Sequence, residues 1–205
     1  MTCTITAEQL AAIAGRATPL MAELANWINQ TCPGYDIDSA QELRHFLAQA
    51  CCETDHFRTL REYASGAAYE GRADLGNTQP GDGVRFRGRG IFQTTGRANY
   101  VALGLKQGRR DLFVNAPELL EQPQYAVWSA CEYWRTRNLN DAANHPDTDL
   151  LKKKTRDGVI DCSPVEFISR TINGGTNGLD DRKAFYAAAK LALPDPAPVT
   201  DSARA

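Results

Sequence analysis

The sequence predicts a mainly α-helical protein, and three observations lead to that prediction. Apolar residues recur at helical spacing in much of the chain, as at Leu43, Phe46, Leu47 and Ala50. Helix-capping patterns precede several of these runs. The main exception is the segment 65–90, SGAAYEGRADLGNTQPGDGVRFRGRG, which is rich in glycine and turn-forming residues. The chain of 205 residues is long enough for one domain, with or without two lobes.

The first three helices are predicted over residues 6–14, 20–31 and 39–53. Thr6 and Gln9 have the spacing of a capping box, and Ser39 and Glu42 repeat that spacing before the third helix. Pro33, in the sequence Cys-Pro-Gly, ends the second helix.

Helices resume after the irregular segment, and we expect them over 95–103, 123–137, 164–172 and 179–193, with a short one opened by Pro117. In the sequence SPVE, Ser163 is an N-cap, the following proline takes the first helical position and Glu166 is the N3 glutamate. Trp128 and Trp134 are predicted to lie in the core. We therefore expect residues 1–193 to form a single domain. The segment 194–205, PDPAPVTDSARA, is predicted to be a disordered tail.

The composition argues against several classes of partner. Lys+Arg number 23 and Asp+Glu 25, so a net charge of -2 does not favour binding to nucleic acid or to an anionic membrane. No run approaches 18 apolar residues, and the N-terminus MTCTITAEQL lacks the basic and apolar regions of a signal peptide. We therefore expect no membrane insertion, and a protein kept in the cytoplasm until something else releases it.

Six cysteines are present, but their even number implies no disulfide framework without a secretory context. Most are expected to be small core residues. Cys51 and Cys52 lie near His45 and His56, yet neighbouring cysteines point to different faces of a helix and no CxxC or HExxH spacing occurs. We expect neither a metal nor a cofactor.

Glu53 raises the first question about chemistry. It borders the apolar stripe of its helix, so its carboxyl group should be partly buried, which suits a general acid because burial disfavours the charged form of a carboxyl group. The alternative is a glutamate paired with an arginine such as Arg58 or Arg61. A second carboxylate, Glu62 or Glu70, follows near the loop, and glycoside hydrolysis needs such a pair. The residues alone do not decide whether Glu62 or Glu70 is the second carboxylate.

The stretch GRGIFQTTGRANY, residues 88–100, resembles the signature segment of glycoside hydrolase family 19 in the form found in bacteriophage endolysins. Three other segments agree in order: FLAQACCET, VEFISRTINGG and GLDDRKAFY. The resemblance covers residues 20–192. It implies a two-lobed lysozyme-like domain in which the irregular segment 65–90 lies beside the active-site cleft.

The resemblance also implies roles for individual residues. Glu53 matches the general acid, Glu62 the general base in preference to Glu70, and Thr95 the residue that helps to hold the attacking water. Further matches are the sugar-binding residues Gln93, Asn99 and Asn173, and an arginine that supports the carboxylates, Arg182. Members of the family invert the anomeric configuration, which requires a separation of about 6.5 to 9.5 Å between the carboxyl groups.

One position departs from the family pattern, because Cys52 stands where a histidine usually precedes the acid. The departure leaves open whether the local hydrogen bond of that histidine is dispensable in this protein or is supplied by His56.

The resemblance favours peptidoglycan glycan strands as the substrate of a monomeric endolysin that causes host lysis. The alternatives are a chitinase and, more distantly, an inactive wall-binding relative. The arginine-rich sequence RFRGRG contains Arg85, Arg87 and Arg89, and Arg97 lies nearby. Such a sequence suggests nucleic-acid binding. The motif is short and no ladder of aromatic residues accompanies it, so we do not favour that hypothesis.

Overall fold

The computed structural model describes residues 2–195 and shows a mainly helical fold, as the sequence predicts. The α-helices of this part of the chain are α1 (Ala7–Ala14), α2 (Met21–Thr31), α3 (Ala40–Glu53), α4 (Asp82–Arg85), α5 (Arg97–Lys106), α6 (Leu112–Asn115), α7 (Pro123–Thr136), α8 (Leu139–Ala143), α9 (Pro164–Asn173) and α10 (Leu179–Ala192). All the longer helices match predicted ones. Their ends shift by at most three residues, and the short helices α4, α6 and α8 have no predicted counterpart.

A β-hairpin over residues 151–162 was not expected from the sequence. Strand β1 (Leu151–Thr155) pairs antiparallel with β2 (Gly158–Cys162), so that Leu151 lies opposite Cys162. An inward-facing position of β1 is occupied by Lys153, whose Nζ donates to Thr171 Oγ1 at 2.6 Å and lies 4.4 Å from the centre of the Phe167 ring. A lysine at a packed position hides the alternation of apolar and polar residues that normally predicts a strand.

The two largest of the three hydrophobic clusters among the described residues define two lobes. The larger core is built from α1, α2, α3, α7 and α8 with contributions from α9 and α10, and includes Phe46 and Trp134. The smaller core lies around α5 and α6 and consists of Phe86, Tyr100, Leu103, Phe113 and Leu120. Helix α7 serves both cores, because Trp134 is fully buried in the larger one while Trp128 packs against the smaller one. Both tryptophans therefore contribute to packing, as predicted.

The start of α3 confirms the predicted capping box. Ser39 accepts a hydrogen bond from the backbone of Glu42, and the Glu42 side chain accepts one from the backbone of Ser39. The corresponding prediction for α9 is only half right: the helix begins at Pro164, but Ser163 makes no side-chain capping bond. Glu166 pairs instead with Arg170 at 2.8 Å, one turn further along the helix.

Internal hydrogen bonds organise the irregular segment. The buried side chain of Asn77 donates to the Tyr69 carbonyl and accepts from the backbone of Arg97. Asp82 is buried and ion-paired with Arg97, and this contact holds the pKa of the Asp82 carboxyl below its usual value. The segment therefore has a defined conformation, which includes α4 and short 3₁₀ turns at 67–69 and 73–75.

The predicted disordered tail falls largely on residues 196–205, which lie outside the described residues. Within the described part, Asp195 pairs with the buried Arg44 at 2.8 Å. No helix between residues 2 and 195 combines the length and the apolar character needed to cross a membrane.

Candidate active site

Glu53 is the last residue of α3, and a second helix fixes its position. Arg182 of α10 is buried, and its Nη2 donates to Glu53 Oε1 at 2.5 Å while its Nη1 donates to Gln49 Oε1 at 2.6 Å. Gln49, one turn before Glu53, in turn donates to Ser169 of α9 at 3.1 Å. The Glu53 side chain is 19 % exposed, and no described residue donates a hydrogen bond to its Oε2.

A left-handed turn follows α3 directly. Asp55, His56 and Phe57 have φ angles of 48°, 62° and 58°, a conformation that costs side-chain-bearing residues energy. Buried contacts compensate: Phe57 is fully buried, and its N–H donates to Oγ1 of the buried Thr54 at 3.0 Å. The turn reverses the chain after the acid and leads it towards Glu62.

Glu62 lies next to the glycine-rich signature segment. Its backbone N–H donates to the Gly88 carbonyl at 3.0 Å, and the Gly88 N–H donates to Glu62 Oε1 at 3.0 Å. The Tyr69 hydroxyl donates to Glu62 Oε2 at 2.9 Å. Burial and the Glu62 contact raise the pKa of Tyr69, so this hydroxyl keeps its proton and remains a donor. Both carboxylate oxygens of Glu62 are thus held in place.

The absence of a side chain at position 88 leaves room for this close approach. A Cβ at Gly88 would lie 2.6 Å from Gln93 Oε1 and 3.4 Å from the carboxyl carbon of Glu62. Gly90 has a φ of 79° at the turn that brings Gln93 and Thr94 back beside Arg89. The signature segment is therefore a tight turn built against the second carboxylate.

Glu53 and Glu62 line the same depression between the lobes. Its other lining residues are Cys52, Asp55, Thr59, Arg61, Tyr63, Tyr69, Gln93 and Thr95. An adjoining pocket shares Gln93 and Thr95 and extends along α5 and α7 past Asn99 to Tyr133 and Arg137. We call the two together the cleft. Thr95 donates to the Gln93 carbonyl at 2.9 Å, and Asn99 donates to the Thr95 carbonyl at 2.7 Å, so these three form one continuous wall.

The structure separates the two candidates for the second carboxylate. Glu70 is exposed, and its oxygens accept from the backbone N–H groups of Gly81 and Gly83 at 2.6 and 2.8 Å. It does not line the cleft, and it holds the irregular segment together. Glu62 is the carboxylate that shares a cavity with Glu53.

Asn173 lies outside the cleft lining. It is exposed at the end of α9, where its Nδ2 donates to the Asn177 carbonyl at 3.1 Å. The helix ends at Gly174 in a left-handed conformation, so the predicted cap is present.

The alternative pairing of Glu53 with Arg58 or Arg61 does not occur. Arg58 contacts Asp55 at 3.1 Å, and Arg61 contacts Glu121 at 3.6 Å. Glu53 pairs with Arg182, as described above.

His56 does not replace the histidine that the family pattern places before the acid. Its Nδ1 is 2.7 Å from the Ala14 carbonyl, and its ring meets Phe185 edge-on, so it is bound away from Glu53. Cys52 lies half-buried against the loop at Gly178, and burial raises the pKa of its thiol. A neutral thiol therefore occupies the position next to the acid.

Intramolecular contacts account for most of the arginines near the signature segment. Arg85 donates to the Val114 carbonyl, Arg97 pairs with Asp82, and the buried Arg89 pairs with Glu121 at 2.7 Å.

Sequence reasoning missed three residues of the site. Gln49 supports Arg182, Tyr69 binds Glu62, and Tyr133 lines the cleft. Gln49 offered a usable signal, because it is a polar residue on the buried side of α3, one turn before the acid. Tyr69 and Tyr133 had none, since their positions depend on how the lobes meet.

Comparisons with known proteins agree with this geometry. A family 19 glycosyl hydrolase domain-containing protein from Haemophilus influenzae strain Rd is 29 % identical over 127 residues, which are 62 % of this chain. The match spans 52 % of that relative, about half its length. No family model matches the chain.

Solved structures resemble the whole chain. Chitinase C from Streptomyces griseus HUT6037 superposes with a TM-score of 0.62 at 18 % identity, over 93 % of each chain. A bacterial family 19 chitinase gives a TM-score of 0.60 at 17 % identity, over 94 % of this chain and 96 % of its own. These comparisons confirm the resemblance to glycoside hydrolase family 19 and its fold.

Proposed function

We propose that this protein is a glycoside hydrolase that cleaves β-1,4 bonds of peptidoglycan, between N-acetylmuramic acid and N-acetylglucosamine, with inversion. The observation that carries the proposal is the shared cleft of Glu53 and Glu62. One carboxyl group ends a helix of the larger lobe, and the other is held by the signature turn.

In this proposal the two carboxyl groups take different roles. Glu53 Oε1 is occupied by Arg182, and Oε2 receives no hydrogen bond from a described residue, so Oε2 is the oxygen that donates a proton to the leaving group. Glu62 is oriented by Gly88 and Tyr69 and acts as the base that activates water. Thr95 lines the same depression and, in this proposal, holds that water through Oγ1.

Gln93 and Asn99 bind the sugar chain in this proposal. Both lie on the wall that continues away from the carboxyl groups. Gln93 Nε2 donates to the Gly90 carbonyl at 3.0 Å, which holds the side chain in this wall.

Peptidoglycan is the proposed polymer because the signature segment resembles the endolysin form of the family. The proposed setting is a bacteriophage infection, in which a monomeric enzyme waits in the cytoplasm and reaches the cell wall through a lesion made by another protein. Chitin is the second candidate, since the similar solved structures are chitinases.

Product analysis tests the proposal. Purified protein is incubated with Gram-negative peptidoglycan and, in parallel, with an N-acetylglucosamine hexamer, and the products are reduced with borohydride and identified by mass spectrometry. Reduced N-acetylmuramic acid ends are expected. Fragments from the hexamer alone would establish the chitinase instead, and NMR of fresh products would report whether the anomeric configuration inverts.

Carboxyl variants connect the products to the site. Glu53→Gln and Glu62→Gln should each lower turnover by a factor on the order of 10² to 10⁴ while the circular dichroism spectrum stays unchanged. Glu70→Gln and the exposed Glu118→Gln are the matched controls, and both should retain the activity of the wild type if they remain folded. Full activity in Glu53→Gln would refute the mechanism.

A further inference from the structure

The charges along the cleft are unevenly paired. Three cationic side chains line it, and two of them have acidic partners: Arg61 contacts Glu121, and Lys106 contacts Glu132. The third, Arg137, has no acidic partner among residues 2–195. Its one hydrogen bond is a 3.4 Å contact with Thr136 Oγ1, which is near the limit for such a bond.

Arg137 is nevertheless held in a defined place. It follows the last residue of α7, and its guanidinium carbon lies 3.4 Å from the centre of the Tyr133 ring. Stacking on an aromatic ring restrains the planar group but leaves its N–H donors free at the edge. The side chain is exposed and lines the cleft, so these donors are accessible to a ligand. A stacked guanidinium with free donors is suited to a carboxylate, which it can bind with two parallel hydrogen bonds.

The end of the cleft along α5 and α7 carries an excess of positive charge. Lys106 and Arg137 line it against Glu132, which is buried and already bound by Lys106 and Arg135. At the other end, the lining carboxylates Glu53 and Asp55 are ion-paired with Arg182 and Arg58. A carboxylate on the substrate is therefore attracted to the end along α5 and α7.

Tyr133 connects Arg137 to the catalytic end. Tyr133 and Arg137 line the same part of the cleft, and that part shares Gln93 and Thr95 with the depression that holds Glu53. A glycan that extends from Glu53 past Gln93 and Thr95 therefore reaches the stacked pair of Tyr133 and Arg137.

We propose that Arg137 is a specificity-determining residue that binds a carboxylate carried by the muramic acid unit of the substrate. The proposal rests on the proposed function. The carboxylate is either the lactyl group of a peptide-free sugar or an acidic group of the attached peptide. A chitin chain has no carboxylate, so Arg137 sets the preference for an acidic amino-sugar polymer over a neutral one.

The test compares three substrates: peptide-free glycan strands prepared with an amidase, intact peptidoglycan, and the N-acetylglucosamine hexamer. Values of kcat/KM are measured for the wild type, Arg137→Gln and Arg137→Lys. Arg137→Gln should lose roughly tenfold on an acidic substrate and nothing on the hexamer, because the charge-assisted contact with the carboxylate is lost at an exposed site. Arg137→Lys should recover part of the loss, since it keeps the charge without the planar fork.

The controls separate a specific effect from a general one. Arg110→Gln removes one exposed charge from the loop between α5 and α6, outside the cleft, and should leave all three values unchanged. Added salt should reduce the difference between wild type and Arg137→Gln on the acidic substrates. A loss confined to peptide-free strands identifies the lactyl carboxylate, and a loss confined to intact peptidoglycan identifies the peptide.

Two results would overturn the proposal, and only one of them would also overturn the proposed function. If wild type cleaves the acidic substrates and Arg137→Gln keeps the same ratio of acidic to neutral activity, Arg137 does not set specificity and the proposed function stands. If wild type cleaves the hexamer alone, the proposed function fails and the role of Arg137 fails with it.

Discussion

Arg182 donates to Glu53 Oε1 at 2.5 Å from a side chain that is only 3 % exposed. Its other terminal nitrogen is bound to Gln49, so the guanidinium cannot rotate away from the acid. A buried arginine with two partners fixes one oxygen of Glu53 and leaves the other available for chemistry. The position of the Glu53 carboxyl group therefore depends on two residues that do not line the cleft.

Gln49→Leu should lower kcat by about tenfold with little change in KM, because Arg182 loses the contact that orients it against Glu53. Steady-state kinetics on solubilised glycan strands measure this split. Ser169→Ala is the control, since it removes the other partner of Gln49 without touching Arg182. Equal losses in the two variants would point to general loosening of the core and away from a positioning role.

Tyr69→Phe should also lower kcat by about tenfold, because the hydroxyl that donates to Glu62 Oε2 is lost while the ring remains. The matched control is Tyr63→Phe, which removes an exposed hydroxyl that donates to Asp55. An unchanged kcat in Tyr69→Phe would show that Gly88 alone is sufficient to orient the base.

Thr54→Val should destabilise the fold by about 1 to 3 kcal/mol, since it leaves the buried N–H of Phe57 without an acceptor. The shape of the side chain is nearly preserved, so the loss reports the hydrogen bond and the strained turn that it supports. Urea unfolding gives the free energy. Thr136→Val, at the exposed end of α7, should change it by less than about 0.5 kcal/mol.

His45 predicts a pH dependence of stability. It is fully buried against the Tyr186 ring, and burial lowers its pKa from 6.5 to about 4, with Asp147 opposing the shift and Arg44 and Lys190 adding to it. Between these two pKa values the unfolded chain binds a proton that the folded chain does not, so stability falls as the pH drops from about 6.5 to 4. The loss should amount to about 2 to 3 kcal/mol.

His45→Phe should abolish this part of the pH dependence. Neither ring nitrogen of His45 has a hydrogen-bond partner among the described residues, so the substitution should cost little at neutral pH. Urea unfolding of both proteins at several pH values measures the difference. Parallel pH profiles for the two proteins would contradict the assignment to His45.

The helices were predictable because their signals are local. The capping box of Ser39 and Glu42 and the proline at the start of α9 lie within single turns of the chain. The hairpin was not predictable, since Lys153 owes its packed position to Thr171 and Phe167, which are distant in sequence.

The candidate site could likewise be predicted only in part. The likeness to a known family pointed to Glu53, Glu62 and Thr95 and the structure places them in one cleft, but the residues alone left Glu62 and Glu70 equivalent. They differ because the backbone N–H groups of Gly81 and Gly83 donate to the Glu70 carboxylate, and these contacts exist only in the folded chain.

The distance along the chain between Glu53 and Arg182 has a consequence for synthesis. The ribosome releases α3 long before α10, and α10 packs against both α1 and α3. Until α10 has docked, the acid lacks its arginine and the larger core lacks one wall. The enzyme should therefore become active in a single late step, so a growing chain carries no hydrolytic activity while it is still being translated.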